Sequence, residues 1–152
     1  MEQISVFDIF KIGIGPSSSH TLGPWRAAMN FWDDLRREGS IDRLSSLRVT
    51  LHGSLAKTGR GHGSDLAVTA GLMGEDPVTV DHERVSEILK SVEDGVPFYP
   101  AGPDGICFNP SRDLVFDRES ILPLHPNGIT FTYRVGNEEE KRAVYYSIGG
   151  GF

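Results

Sequence analysis

The chain has 152 residues, 38% of them hydrophobic and 9% aromatic, which suits one domain with a real core. A net charge of −6 argues against nucleic acid or an anionic membrane surface as the main partner, and no apolar run approaches the roughly 18 residues of a membrane span. The single cysteine, Cys107, rules out an internal disulfide and any metal site built from several cysteines of this chain. It also fits a reducing compartment, and the start "MEQISVFDIFKIG" has neither the basic nor the long apolar region of a signal peptide, so a cytoplasmic protein is expected.

In chain order, residues 24 to 38 predict the first helix. Pro24 suits its first position, where the missing N–H has no partner to lose. Trp25, Met29, Trp32 and Leu35 recur at helical spacing, and Gly39 is placed to stop it. "LRVTLHG" then alternates, with Leu47, Val49 and Leu51 on one face and Arg48, Thr50 and His52 on the other, which predicts a half-buried strand. A second helix over 64 to 73 is small and apolar nearly all round, hence buried, with Gly63 or Ser64 as its N-cap. A third covers about 82 to 94, with Asp81 as N-cap, Val80 and Val85 as a hydrophobic staple, and Gly95 as its stop.

After that the period falls to two. "ICF", "LVF", "ITFTYRV" and "RAVYYSI" are strand candidates separated by Gly, Pro and Asn signals. The order predicts an α+β fold, a mostly antiparallel sheet covered by helices on one face. The late strands leave an exposed edge with Tyr133, Tyr145 and Tyr146 nearby, which invites pairing into a homodimer. The closing "GGGF" reads as a connection to something further or as a frayed tail.

Two segments carry chemistry. "GPSSSHTLG" is placed just before the first helix. A helix start offers unpaired N–H groups and partial positive charge, and Ser17, Ser18 and Ser19 add hydroxyl donors, a combination suited to a carboxylate or phosphate. The alternative is local: one serine or Thr21 caps the helix and the rest are solvated. "KTGRGHGSD" repeats the design, with Gly61, His62 and Gly63 ahead of the second helix and Asp65 in its first turn. The two loops could form one polar site if the two helix starts lie at the same end of the sheet.

Other chemistries fit less well. Neither loop has the lysine of a nucleotide P-loop. Ser19 and His20 are adjacent, which does not suggest a triad. No H-x₃-H pairing supports a zinc site from His20, His52 and His62. His52 reads as a surface or sheet–helix histidine, His82 and His125 as uninvolved, and Cys107 as a small buried residue.

The stretches "SVFDIFKIGIGPSSSHTLGPWRAA", "LHGSLAKTGRGHGSD" and "YYSIGGGF" together resemble the beta domain of the bacterial iron–sulfur L-serine dehydratases, over essentially residues 1–152. The resemblance implies a fold like the allosteric substrate-binding domain of phosphoglycerate dehydrogenase. It implies a lyase of amino-acid catabolism and gluconeogenesis that turns L-serine into pyruvate and ammonia through aminoacrylate. The family uses a 4Fe–4S cluster as Lewis acid on the leaving hydroxyl, with ligands in an alpha domain that is fused or a separate subunit. This chain's one thiol cannot hold such a cluster, so the isolated domain is expected to be inactive. Carried over, the resemblance has Ser17, Ser18, Ser19 and Thr21 with Gly61, Gly63 and Asp65 holding substrate. His62 or His20 would be the base, His62 being favoured by its flanking glycines and by Asp65, which could orient it. A regulatory amino-acid-binding module without a catalytic part is the competing function.

Overall fold

The computed structural model describes residues 18–57, 63–119 and 128–146, and for 18–20 the helical backbone alone. Helix α1 spans Ser18–Arg37. It starts six residues before the predicted position, so Ser18, Ser19 and His20 lie in its first turn rather than ahead of it, and Pro24 is interior. An interior proline loses one backbone bond and crowds the residue before it. That residue is Gly23, which has no Cβ to clash, so the helix passes through.

A 3₁₀ turn at Ile41–Arg43 leads into strand β1, Leu44–His52. Short helix α2, Ser54–Lys57, packs on the end of β1. Helix α3, Ser64–Leu72, has all nine residues buried, in line with its apolar sequence. Helix α4, His82–Glu93, begins as expected: Asp81 caps it by accepting the Arg84 N–H at 2.7 Å, and Val80 and Val85 are buried in one cluster. A single turn, α5 at Pro110–Asp113, precedes β2, Leu114–Asp117. Strands β3, Gly128–Val135, and β4, Lys141–Tyr146, complete the sheet.

The strand order is β2-β1-β3-β4. β1 pairs with β3 and β3 with β4 antiparallel, while β1 and β2 are parallel. A parallel pair needs a crossover, here supplied by the segment that contains α3 and α4. The α+β expectation holds, with one parallel pair added. "ICF" forms no strand: Phe108 makes only an isolated bridge to Phe98. The local alternation there turns Phe108 inward and leaves Cys107 exposed, which corrects the expectation of a buried thiol.

Leu47, Val49 and Leu51 of β1, Leu114 of β2, and Ile129 and Phe131 of β3 form the core with Ala27, Phe31, Trp32 and Leu35 of α1 and Val68 and Leu72 of α3. Phe31 stacks on Phe131 at 4.4 Å and meets Tyr133 edge-on at 5.2 Å. Each such pair adds about 0.5–1.5 kcal/mol beyond burial. Trp25 joins a second cluster with Leu66, Ala67 and Ala70 of α3 and Val85, Ile88 and Val92 of α4. Its indole N–H donates to the Glu75 carbonyl at 2.8 Å. α1 and α3 touch at Gly71, where a Cβ would stand 2.6 Å from the Trp25 carbonyl oxygen and 2.7 Å from the Ala28 Cβ. Only glycine permits that approach.

Candidate functional site at the helix starts and the sheet edge

β1 delivers the chain to the second glycine-rich loop. It ends at His52, level with Asp117 at the end of β2, and the Gly53 N–H donates to the Asp117 carbonyl at 3.3 Å. Carboxyl ends of adjacent parallel strands are where open sheets with helices bind ligands. His52 lies on the polar face, as its alternation predicts, yet it is only 7% exposed. Its Nε2 and the Thr130 Oγ1 are 2.8 Å apart. Burial lowers the His52 pKa, and the nearby Asp117 opposes that in part. Burial thus favours the neutral imidazole, and His52 is buried, so of the two places expected for it the surface is excluded.

Beyond α2 the chain enters α3. Gly63 is the N-cap, at φ +103°, a backbone state that side chains resist, and as glycine it has no side chain to cap the helix. Ser64 is fully buried and Asp65 is 2% exposed. The Asp65 Oδ1 accepts the Leu66 N–H at 2.9 Å. A buried carboxylate in a first helical turn is favoured by the helix dipole. Gly61 and His62, which precede this turn, lie outside the described residues, as do Ser17, His125 and the tail from residue 147.

The first turn of α1 holds Thr21, 1% exposed, whose Oγ1 has no hydrogen-bond partner among the described residues. An unmatched buried hydroxyl costs about 1–3 kcal/mol, so a group aimed at it from a ligand would recover that cost. Thr69, two turns into α3, is in the same condition and was not singled out by the sequence. Thr130, the partner of His52, was missed as well. Alternation put both on the polar face, but strand register was needed to bring them together. His82 is exposed at the start of α4, as expected of an uninvolved residue.

Among the described residues no group of three or more His, Cys, Asp and Glu side chains could hold a metal ion. Thiolates for an iron–sulfur cluster would have to come from outside this chain, whose one cysteine is Cys107. Among the described residues no helix is long and apolar enough to cross a membrane.

The family described as serine dehydratase beta chain matches residues 5–152. The chain is 46% identical over 150 residues to an L-serine dehydratase of Streptomyces coelicolor, and 42% identical over 150 residues to L-serine dehydratase 1 of Escherichia coli. In both cases the match covers 98% of this chain and 33% of the relative. An L-serine dehydratase of Helicobacter pylori is 39% identical over 153 residues, covering all of this chain and 33% of the relative. This chain thus spans about a third of the length of the curated relatives it matches. With a family match over nearly its whole length, the chain belongs to the serine dehydratase beta chain family.

Proposed function

We propose that residues 1–152 are the beta domain of a cytoplasmic L-serine dehydratase, a lyase acting on L-serine together with an alpha domain that carries a 4Fe–4S cluster. The observation that carries this reading is the start of α3. It is buried, its N-cap is Gly63 at positive φ with Asp65 in the first turn, and it follows directly on His62 in a chain of this family. The positive end of the helix dipole at such a start favours an anionic group.

In this reading the substrate carboxylate is held by Ser17, Ser18, Ser19 and Thr21, and by the backbone around Gly61 and Gly63. The Thr21 hydroxyl supports this, since it is buried and unmatched among the described residues. His62 takes the α-proton, and Asp65 orients it. The β-hydroxyl leaves as water, giving aminoacrylate. Aminoacrylate then tautomerises to an imine, which adds water and releases ammonia and pyruvate. A neutral imidazole with an ordinary pKa near 6.5 is suited to accept a proton at pH 7. His20 is the alternative base.

The test is reconstitution. The chain is combined with an alpha domain, for which the remaining two thirds of the Streptomyces coelicolor relative is a ready source, and pyruvate formation is followed. His62→Ala is expected to abolish most turnover. If it changes only the response to added amino acid and leaves maximal turnover intact, this domain is a regulatory module instead.

A further inference from the structure

α2 takes its position from the end of β1. The Gly53 carbonyl accepts the Ala56 and Lys57 N–H groups at 3.1 and 3.2 Å, so the single turn of α2 is built directly on Gly53. Gly53 stands at φ +58°, with its own N–H on the Asp117 carbonyl of β2. A four-residue helix has almost no stability of its own. It stays where the strand end and its buried Leu55 and Ala56 put it. Five residues after Lys57 the chain reaches His62.

His52 is the residue that ties down this strand end. Leu51 is level with Ile129 and Thr50 with Thr130, so His52 falls opposite Gly128 and Thr130 is its diagonal neighbour. Diagonal neighbours across an antiparallel pair are within reach only of long or aromatic side chains. The imidazole makes that reach, with Nε2 2.8 Å from the Thr130 Oγ1. Both residues are buried, which shields the bond from competing water. Thr130 is a firm anchor, because β3 is paired on both sides, with β1 and with β4. The core residues Leu51, Ile129 and Phe131 alternate with this pair and so face the other way. For the fold alone, two apolar groups of the same shape would serve nearly as well. What the hydrogen bond adds is a fixed direction.

We infer that the His52–Thr130 bond fixes the end of β1 and the α2 turn built on it, and so sets where the chain sets out toward His62. His52 and Thr130 are then positioning residues for the reaction, which act through His62 and touch no substrate. The inference rests on the reading of His62 as the base. A base must stand within hydrogen-bond reach of the proton it takes, and a misplacement of about 1 Å can cost about 10²-fold in rate.

The experiment compares His52→Phe, Thr130→Val, the double variant and His52→Gln in the reconstituted enzyme. The first two keep bulk and remove the bond, and the glutamine amide can reach the place of Nε2. Assays are run well below the lowest melting temperature of the set, so that every chain is folded. His52→Phe and Thr130→Val should each lower kcat about tenfold and leave KM for L-serine within about twofold, because the carboxylate is held by other groups. The double variant should lose no more than either single one, as two partners of one bond do. His52→Gln should recover most of the loss. Native-state hydrogen exchange at the Ala56 and Lys57 amides should be about tenfold faster in His52→Phe and Thr130→Val. Unchanged kcat in the two variants overturns the proposal, as do losses that add in the double variant or exchange that stays at the wild-type rate. His62→Ala, run alongside, keeps two failures apart. If it retains turnover, the reading of the base falls, and the hold of His52 on α2 is judged by the exchange at Ala56 and Lys57 alone.

Discussion

α4 opens on an exposed Asp81, whose carboxylate accepts the Arg84 N–H, and its first residues, His82 and Glu83, are solvated. α3 opens on Gly63 at φ +103°, which has no side chain to cap it, and buries Ser64 and Asp65. Each start has a histidine beside it, His82 in one and His62 in the other. The first arrangement answers the needs of the helix and no more. The second has glycine in place of a capping side chain and buries its first-turn serine and carboxylate, where the helix dipole favours negative charge. α1 follows the second pattern through Thr21. In the function proposed above, the difference separates a helix start built for folding from two that hold substrate.

The comparison is broken most severely through the two histidines. In the reconstituted enzyme His62→Ala should lower kcat by about 10²- to 10⁴-fold, the usual worth of a general base. His82→Ala should leave kcat unchanged. Equal losses would erase the distinction between the two helix starts.

Gly63→Ala comes next. A Cβ at positive φ costs about 1–2 kcal/mol, so the melting temperature should drop, and kcat/KM should drop with it because the donors of the α3 start are displaced. Asp81→Ala should cost about 1 kcal/mol through the lost cap. Denaturant melts should register that loss while kcat/KM stays at the wild-type value. A loss of turnover in Asp81→Ala would place α4 at the site too.

The smallest effect is one of pH. The folded-state pKa of His52 lies below its ordinary value because of burial. Protonation therefore favours the unfolded chain. The contribution of His52 is complete above about pH 6.5 and declines as pH falls below that, by at most one proton, or about 1.4 kcal/mol per pH unit. His52→Gln should flatten that part of the curve of melting temperature against pH. An unchanged slope would mean that another group titrates there.

The parts of this fold that rest on local chemistry were legible in the sequence. The α4 cap and staple, the buried character of α3, and the alternation of β1 and β3 follow from side chains close in sequence. The early start of α1 was not, because Pro24 looked like a first-turn proline and the permissive role of Gly23 shows only in context. Cys107 was misjudged because a short apolar run suggested a strand where a single bridge forms. The His52–Thr130 pair depends on register between strands 78 residues apart, which no local pattern encodes. At the candidate site the residue types and spacing pointed to both helix starts. The unmatched hydroxyl of Thr21 needed the packing of α1 to become visible.

The claim that the α1 and α3 starts serve a ligand is tested most directly at Thr21, by measuring stability and kcat/KM of Thr21→Val together. Valine keeps the shape and removes the unmatched hydroxyl. The variant should gain about 1 kcal/mol of stability and lose about tenfold in kcat/KM for L-serine in the reconstituted enzyme. A variant with no gain in stability and full turnover would contradict the account, since the Thr21 hydroxyl would then be neither a cost to the fold nor a contact for the substrate.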